Sequence, residues 1–159
     1  QPDGPMLVLG CGEYGFAAID GLQRPLILLD NDPLLRRMLG RYASMHERSI
    51  AVLGTNLQDT TFQPNSLGLV CAEFVLHLMT VNEIGAVLAR LHDALIPGGK
   101  IYLYEPSGGC CNHDDEGKVL LMSRVLRDRF PDLIYRPFQG VGKEGKEVSG
   151  AEMLTYAKA

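Results

Sequence analysis

The sequence predicts a doubly wound α/β fold built on one seven-stranded sheet, mostly parallel and closed by a C-terminal antiparallel hairpin. Three observations predict it. Short apolar runs alternate with stretches of helical periodicity, the pattern of βαβ units around a parallel sheet. The first apolar run meets a glycine-rich turn, Gly10-Cys11-Gly12-Glu13-Tyr14-Gly15, and the second ends in a carboxylate, Asp30. Near the C-terminus, two more apolar runs flank a glycine- and lysine-rich stretch. A chain of 159 residues, 46% of them apolar, suits one domain around one core.

The first strand is Met6–Leu9. A short helix follows the glycine turn to about Leu22, and Pro25 ends the link to the second strand, Leu26–Leu29. Asp32-Pro33 supplies an N-cap and a first-turn proline for the next helix. Leu34, Leu35, Met38, Leu39 and Tyr42 give that helix one apolar stripe. The third strand is Ser49–Leu53 and the fourth Leu67–Glu73. Thr80-Val81-Asn82-Glu83 has the capping-box pattern and opens a helix with Ile84, Val87, Leu88, Leu91 and Leu95 on its apolar side. Pro97-Gly98-Gly99 stops that helix, and the fifth strand is Lys100–Tyr104. A further helix is expected from about Glu116 to Arg129, and Leu133–Gln139 with Glu152–Ala157 form the hairpin. No repeat or linker interrupts this order, so residues 1–159 read as a single domain.

Fifteen basic against 19 acidic residues leave a formal charge of −4, which gives no basic footprint for nucleic acid. Arg36, Arg37, Arg41 and Arg48 form a local basic helix face of the solvated kind. No apolar run approaches the ~18 residues of a membrane span, and no secretory signal is visible, so no membrane partner is expected. Cys11 and Cys71 fall in a glycine turn and a buried strand, which fits a reduced, intracellular and cytoplasmic protein. Cys110, Cys111 and His113 lack the spacing and fourth ligand of a zinc site and read as a polar loop, so no metal is expected. The chain opens at Gln1, which reads as a start that is processed, trimmed or cut from something longer.

The glycine turn carries the chemistry. Glycines let the backbone turn tightly and approach a ligand, and an acid ending the second strand can accept hydrogen bonds from two ribose hydroxyls. Gly10-x-Gly12-x-x-Gly15, with Asp30 placed 20 residues past Gly10, resembles the fingerprint of NAD-dependent dehydrogenases. The same residues resemble the class I S-adenosylmethionine-dependent methyltransferases, a Rossmann-like family. Its pattern is an acid, an apolar residue, Gly-Cys-Gly, any residue, Gly. Leu9-Gly10-Cys11-Gly12 fits; Val8 stands at the acid, and Tyr14 at the third glycine, with Gly15 one place late.

The rest of the chain resembles the methyltransferases alone. Asp30-Asn31-Asp32-Pro33 before an apolar helix matches their stretch after the second strand. Gly54, Asn56-Leu57, Phe62, Asn65-Ser66, Leu67–Val70 and Phe74-Val75-Leu76-His77-Leu78 follow their pattern without a gap. Leu95-Ile96-Pro97-Gly98-Gly99-Lys100 matches their turn into the fifth strand, and the terminal strands match their closing hairpin.

The resemblance implies S-adenosylmethionine as cofactor. The backbone from Gly10 through Cys11 to Gly12 would lie against its methionine part, Asp30 would hold the ribose, and Asn31 would lie beside the adenine. Asn56 would accept from the adenine amino group in place of the family's aspartate, and Leu57 would offer backbone polar groups to the adenine edge. Glu73 and Phe74 end the fourth strand, at the carboxyl edge where open α/β sheets bind ligands. Two family acids are replaced, by Val8 near the glycine turn and by Gly68 in the fourth strand; Glu13 is the nearby acid able to compensate for the first. Methyl transfer from a sulfonium needs held geometry more than acid or base. Tyr104 and Glu105 are the candidates for orienting an acceptor, with His77 a third candidate catalytic position.

Only Gln1–Pro5 precede the first strand, so the helices that usually cap the family's site are expected to be missing. The exposed site rim points to assembly with a second copy or another chain. The leading expectation is therefore methyl transfer to an unidentified acceptor. A domain that has lost catalysis and serves as a structural or regulatory subunit is the second, and an NAD-dependent oxidoreductase the third.

Overall fold

In a computed structural model, the described residues are 3–73, 75–106, 134–141 and 147–159. The elements are β1 (Met6–Leu9), α1 (Tyr14–Gly21), β2 (Leu26–Leu29), α2 (Pro33–Ala43), β3 (Ile50–Leu53), β4 (Leu67–Glu73), α3 (Val81–Ala94), β5 (Leu95–Pro106), β6 (Ile134–Val141) and β7 (Glu147–Ala157), with short 3-10 turns at Leu57–Asp59 and Leu76–Leu78. The strands form one sheet in the order β3-β2-β1-β4-β5-β7-β6. β1 to β5 run parallel, and β7 lies antiparallel between β5 and β6. The result is a Rossmann-like α/β sheet, mostly parallel, with a C-terminal antiparallel hairpin. Chain order reverses between β1 and β4, and a crevice opens at that switch, beyond the carboxyl ends of the strands.

The pleat sorts the side chains onto two cores. Leu7, Leu9, Val70, Ala72, Ile101 and Leu103 pack with Ile84, Val87, Leu88 and Leu91 of α3 on one face. Met6, Leu26 and Leu28, with the partly buried Val8, Leu69 and Cys71, meet Ile19 of α1 and Leu39 of α2 on the other. Successive strand residues point to opposite faces, so continuous apolar runs serve a sheet covered on both sides.

The α2 start follows its sequence signal: the Asp32 carboxylate accepts from the N–H groups of Leu34 and Leu35 at 2.8 and 3.0 Å. Its stripe needs correction. Leu34 and Met38 are 65% and 50% exposed, and the face against the sheet is Leu35, Leu39, Tyr42 and Ala43. One residue along a helix is a turn of about 100°, enough to carry Leu34 and Met38 off that seam.

The capping box of α3 is complete, with Thr80 and Glu83 each accepting from the other's backbone N–H. Pro97-Gly98-Gly99 does not stop α3, which ends at Ala94; the three residues lie within β5. Leu95 already pairs with Leu67, the ladder slips between Leu67 and Leu69, and Gly98 takes up the irregularity at φ +76° while its N–H donates to the Lys158 carbonyl at 2.9 Å. β7 starts earlier than the sequence suggests because pairing with β6 continues to Val141↔Glu147. The expected helix 116–129, Cys110, Cys111 and His113 lie outside the described residues. Among the described residues no helix is long and apolar enough to cross a membrane.

Candidate functional site

The glycine turn bridges β1 and α1 at the crevice. Gly10 and Gly12 have φ of +54° and +48°, where a Cβ is disfavoured. A Cβ on Gly10 would also stand 2.5 Å from Cγ2 of Val75. Gly15 serves packing instead, since its Cβ would stand 2.8 Å from Cδ2 of the buried Leu39, which would have to shift. The Asp30 carboxylate fixes the turn from β2, with Oδ2 accepting from the Gly12 N–H and Oδ1 from the Asp32 N–H, both at 2.9 Å. Lone pairs remain on both oxygens for two vicinal hydroxyls. Cys11 is 2% exposed; burial first, then the charge of Asp30, pushes its thiol up to about 11. It offers the crevice backbone rather than a thiolate.

A polar cleft of about 410 Å³ runs from this turn over the ends of β2 and β3. Asp30, Asn31, Asn56 and Leu57 line it, together with Val75, Leu78 and Met79 from the segment after β4. The Asn31 amide donates to Oδ1 of Asn56, whose amide donates to Asp59, each at 3.3 Å. One lone pair of the Asn56 oxygen therefore stays available. The Leu57 carbonyl is committed, accepting from the Thr60 N–H at 3.3 Å and from Nη2 of Arg90 at 3.2 Å. Its N–H opens the 3-10 turn, where a helical ladder leaves donors unpaired. Of the backbone groups expected at Leu57, the N–H is the one left to a ligand.

A second, largely apolar cavity of about 220 Å³ lies beside the first, at the ends of β1, β4 and β5. Val8, Cys11, Tyr14, Cys71, Tyr102 and Tyr104 line it, with Glu73. Burial pushes the half-buried Glu73 carboxyl up. Burial also raises Tyr104, and the charges of Glu73 and Tyr14 push it further in the same direction. Gly10 lines both spaces.

Two of the three candidate catalytic side chains, Glu105 and His77, meet each other below the cleft wall. Glu105 is fully buried, and its Oε1 accepts the N–H groups of Val75 and Leu76 at 3.1 and 2.9 Å. Its Oε2 accepts the His77 N–H at 3.2 Å and lies 3.3 Å from His77 Nδ1. Burial pushes this carboxyl up, against the downward pull of the three N–H groups and of His77. The pleat separates the two neighbours: Tyr104 faces the apolar cavity, so Glu105 points through the other face toward α3. Glu105 and His77 thus hold the wall that carries Val75 and Leu78, and only Tyr104 of the three lines a cavity.

The replaced acids separate in the same way. Gly68 lies at the amino end of β4, where a Cβ would stand 2.6 Å from the Asp3 carbonyl oxygen and 2.8 Å from Nη2 of Arg24. That position is filled by the incoming chain and is remote from the crevice. Val8 lines the apolar cavity, whereas the exposed Glu13, at the start of α1, lines neither space. Phe74 lies outside the described residues. Tyr14, Val75, Leu78 and Met79 are site residues that the sequence alone does not single out; Tyr14 is visible there only as a departure from a glycine pattern.

A family model for the methyltransferase domain matches residues 7–103. No curated protein matches the chain. Among solved structures, a methyltransferase from Methanosarcina mazei, described as S-adenosylmethionine-dependent, is similar at TM-score 0.68 and 14% identity, covering 99% of this chain and 93% of its own. A putative S-adenosylmethionine-dependent methyltransferase from Listeria monocytogenes is similar at TM-score 0.69 and 10% identity, over 99% of this chain and 92% of its own. Phosphoethanolamine N-methyltransferase 2 of Haemonchus contortus, solved with S-adenosyl-L-methionine, is similar at TM-score 0.73 and 11% identity, over 99% of this chain but 49% of its own. At such identities these likenesses establish the fold; the family match spans more than half the sequence and includes the glycine turn, Asp30, Asn56 and Glu73. The chain belongs to the methyltransferase domain family.

Proposed function

We propose that this domain binds S-adenosylmethionine across both spaces and transfers its methyl group to an acceptor presented at the apolar cavity. The observation that carries the reading is the meeting of the two spaces at Gly10. S-adenosylmethionine is an adenosine joined through a sulfonium to an amino acid, so it needs a polar nucleoside cleft continuous with a second compartment. The residues present fit that division. Asp30 accepts from the ribose, Asn31, Asn56 and the Leu57 N–H address the base, and Val75, Leu78 and Met79 supply apolar walls. When bound, the cofactor supplies an electrophilic methyl group. This chain's part is then to hold an acceptor in line and exclude water, and Tyr14 and Tyr104 at the cavity are placed to orient it.

A second reading, a domain without catalysis serving a larger assembly, draws on Val8 in place of the family's acid. Thermal melting with S-adenosylmethionine, S-adenosylhomocysteine and NAD separates these readings. At about 100 times Kd, either of the first two should raise Tm by roughly 5–10 °C, with NAD inert. A melting point unmoved by all three removes the enzyme reading for this chain, and a shift with NAD alone supports an oxidoreductase.

A further inference from the structure

We infer that Glu73 receives the α-ammonium group of S-adenosylmethionine, acting as the anionic anchor of the apolar cavity. The inference rests on the cofactor reading above and extends it to a residue contact. With adenosine in the polar cleft, the amino-acid tail crosses Gly10 and enters the second space. That tail brings a cation into a cavity walled mostly by apolar groups, where an unpaired charge is costly. Among the described lining residues Glu73 is the one carboxylate.

The sheet register puts Glu73 in the right place. Val8 pairs with Cys71, so Glu73 lies two residues further along the same face of the neighbouring strand, roughly 7 Å closer to the crevice. Among the described residues no Lys, Arg or His forms an ion pair with Glu73. Burial raises its carboxyl, and a cation brought beside it would offset that cost. An ammonium carries three donors for the carboxylate oxygens, whereas a sulfonium brings charge without a donor. The ammonium is therefore the better partner, and Glu73 stands in for an acid at Val8.

Calorimetric titration of wild type, Glu73→Gln and the double variant Val8→Asp/Glu73→Gln tests this. The ligands are S-adenosylmethionine, S-adenosylhomocysteine and 5′-methylthioadenosine, which lacks the amino-acid tail. Glu73→Gln should weaken S-adenosylhomocysteine roughly 10- to 100-fold and leave 5′-methylthioadenosine within about 2-fold, which also reports that the variant is folded. Val8→Asp, which restores a carboxylate to the same sheet face, should recover part of the loss. Equal weakening of both ligands, or no weakening of either, overturns the inference while leaving the cofactor reading intact. A loss for S-adenosylmethionine but not for S-adenosylhomocysteine assigns Glu73 to the sulfonium and overturns it too. Wild type that binds none of the three overturns the cofactor reading itself, and the inference with it.

Discussion

The Asp30 carboxylate accepts the Gly12 N–H at 2.9 Å, tying the end of β2 to the turn that follows β1. Its other oxygen accepts from Asp32 at the same distance, just before α2. One side chain thus sets the shape of the cleft floor before any ligand arrives. Asp30→Ala leaves both N–H groups without their acceptor and should cost about 1–2 kcal/mol, given the partial exposure of the site. Chemical denaturation followed by circular dichroism measures this.

Gly10 and Gly15 belong to one motif but should fail differently when replaced. Gly10→Ala forces a Cβ into a positive-φ position and against Val75, which walls the polar cleft. It should lose both stability, by about 1–3 kcal/mol, and nucleoside affinity. Gly15→Ala meets Leu39 in the core between α1 and α2. It should lower Tm while ligand affinity, measured well below the melting range, stays within a few-fold.

Glu105→Ala removes the acceptor of three backbone N–H groups and should cost about 2–5 kcal/mol. The pH dependence has a definite sign. Burial raises this carboxyl in the folded chain above its ordinary 4.5, so the folded state holds its proton more tightly than the unfolded state does. Its contribution is therefore fully present below 4.5 and is lost as pH rises through the folded value. The denaturation midpoint of wild type relative to Glu105→Gln should accordingly fall over that range; a rise would contradict the assignment.

Cys11 and Cys71 should alkylate slowly. Burial lifts each thiol from 9.0 to about 11, opposed at Cys71 by the charge of Arg24. At pH 8 that lowers the thiolate fraction roughly 100-fold. Residue-resolved mass spectrometry after iodoacetamide treatment should find both labelled at about 1% of the rate of a free thiol. Both line the apolar cavity, so S-adenosylhomocysteine should slow Cys71 further.

Much of this is legible in the sequence, because local chemistry decides it. The bounds of β1, β2 and β4, the Asp32 cap and the Thr80–Glu83 box each follow from a few adjacent residues. Asp30 and the glycines can be placed at the crevice for the same reason. What fails depends on orientation fixed elsewhere. Tyr104 and Glu105 are neighbours in sequence, and only pairing with β4 decides which of them faces the cavity. Leu34 and Leu35 are equally apolar, and only the seating of α2 on the sheet decides which is buried. Gly68 reads as a lost functional acid in the sequence, whereas in the fold the chain at Asp3 occupies its space.

Nucleoside binding at Asp30 is tested by the dissociation constant of S-adenosylhomocysteine for wild type and Asp30→Ala, measured by calorimetry on folded protein. Wild type should bind with micromolar affinity at one site per chain, weakened at least roughly 10-fold in the variant through loss of the ribose contacts and of the fixed turn. Equal affinity in the two proteins would place the nucleoside away from Asp30 and contradict the site described above.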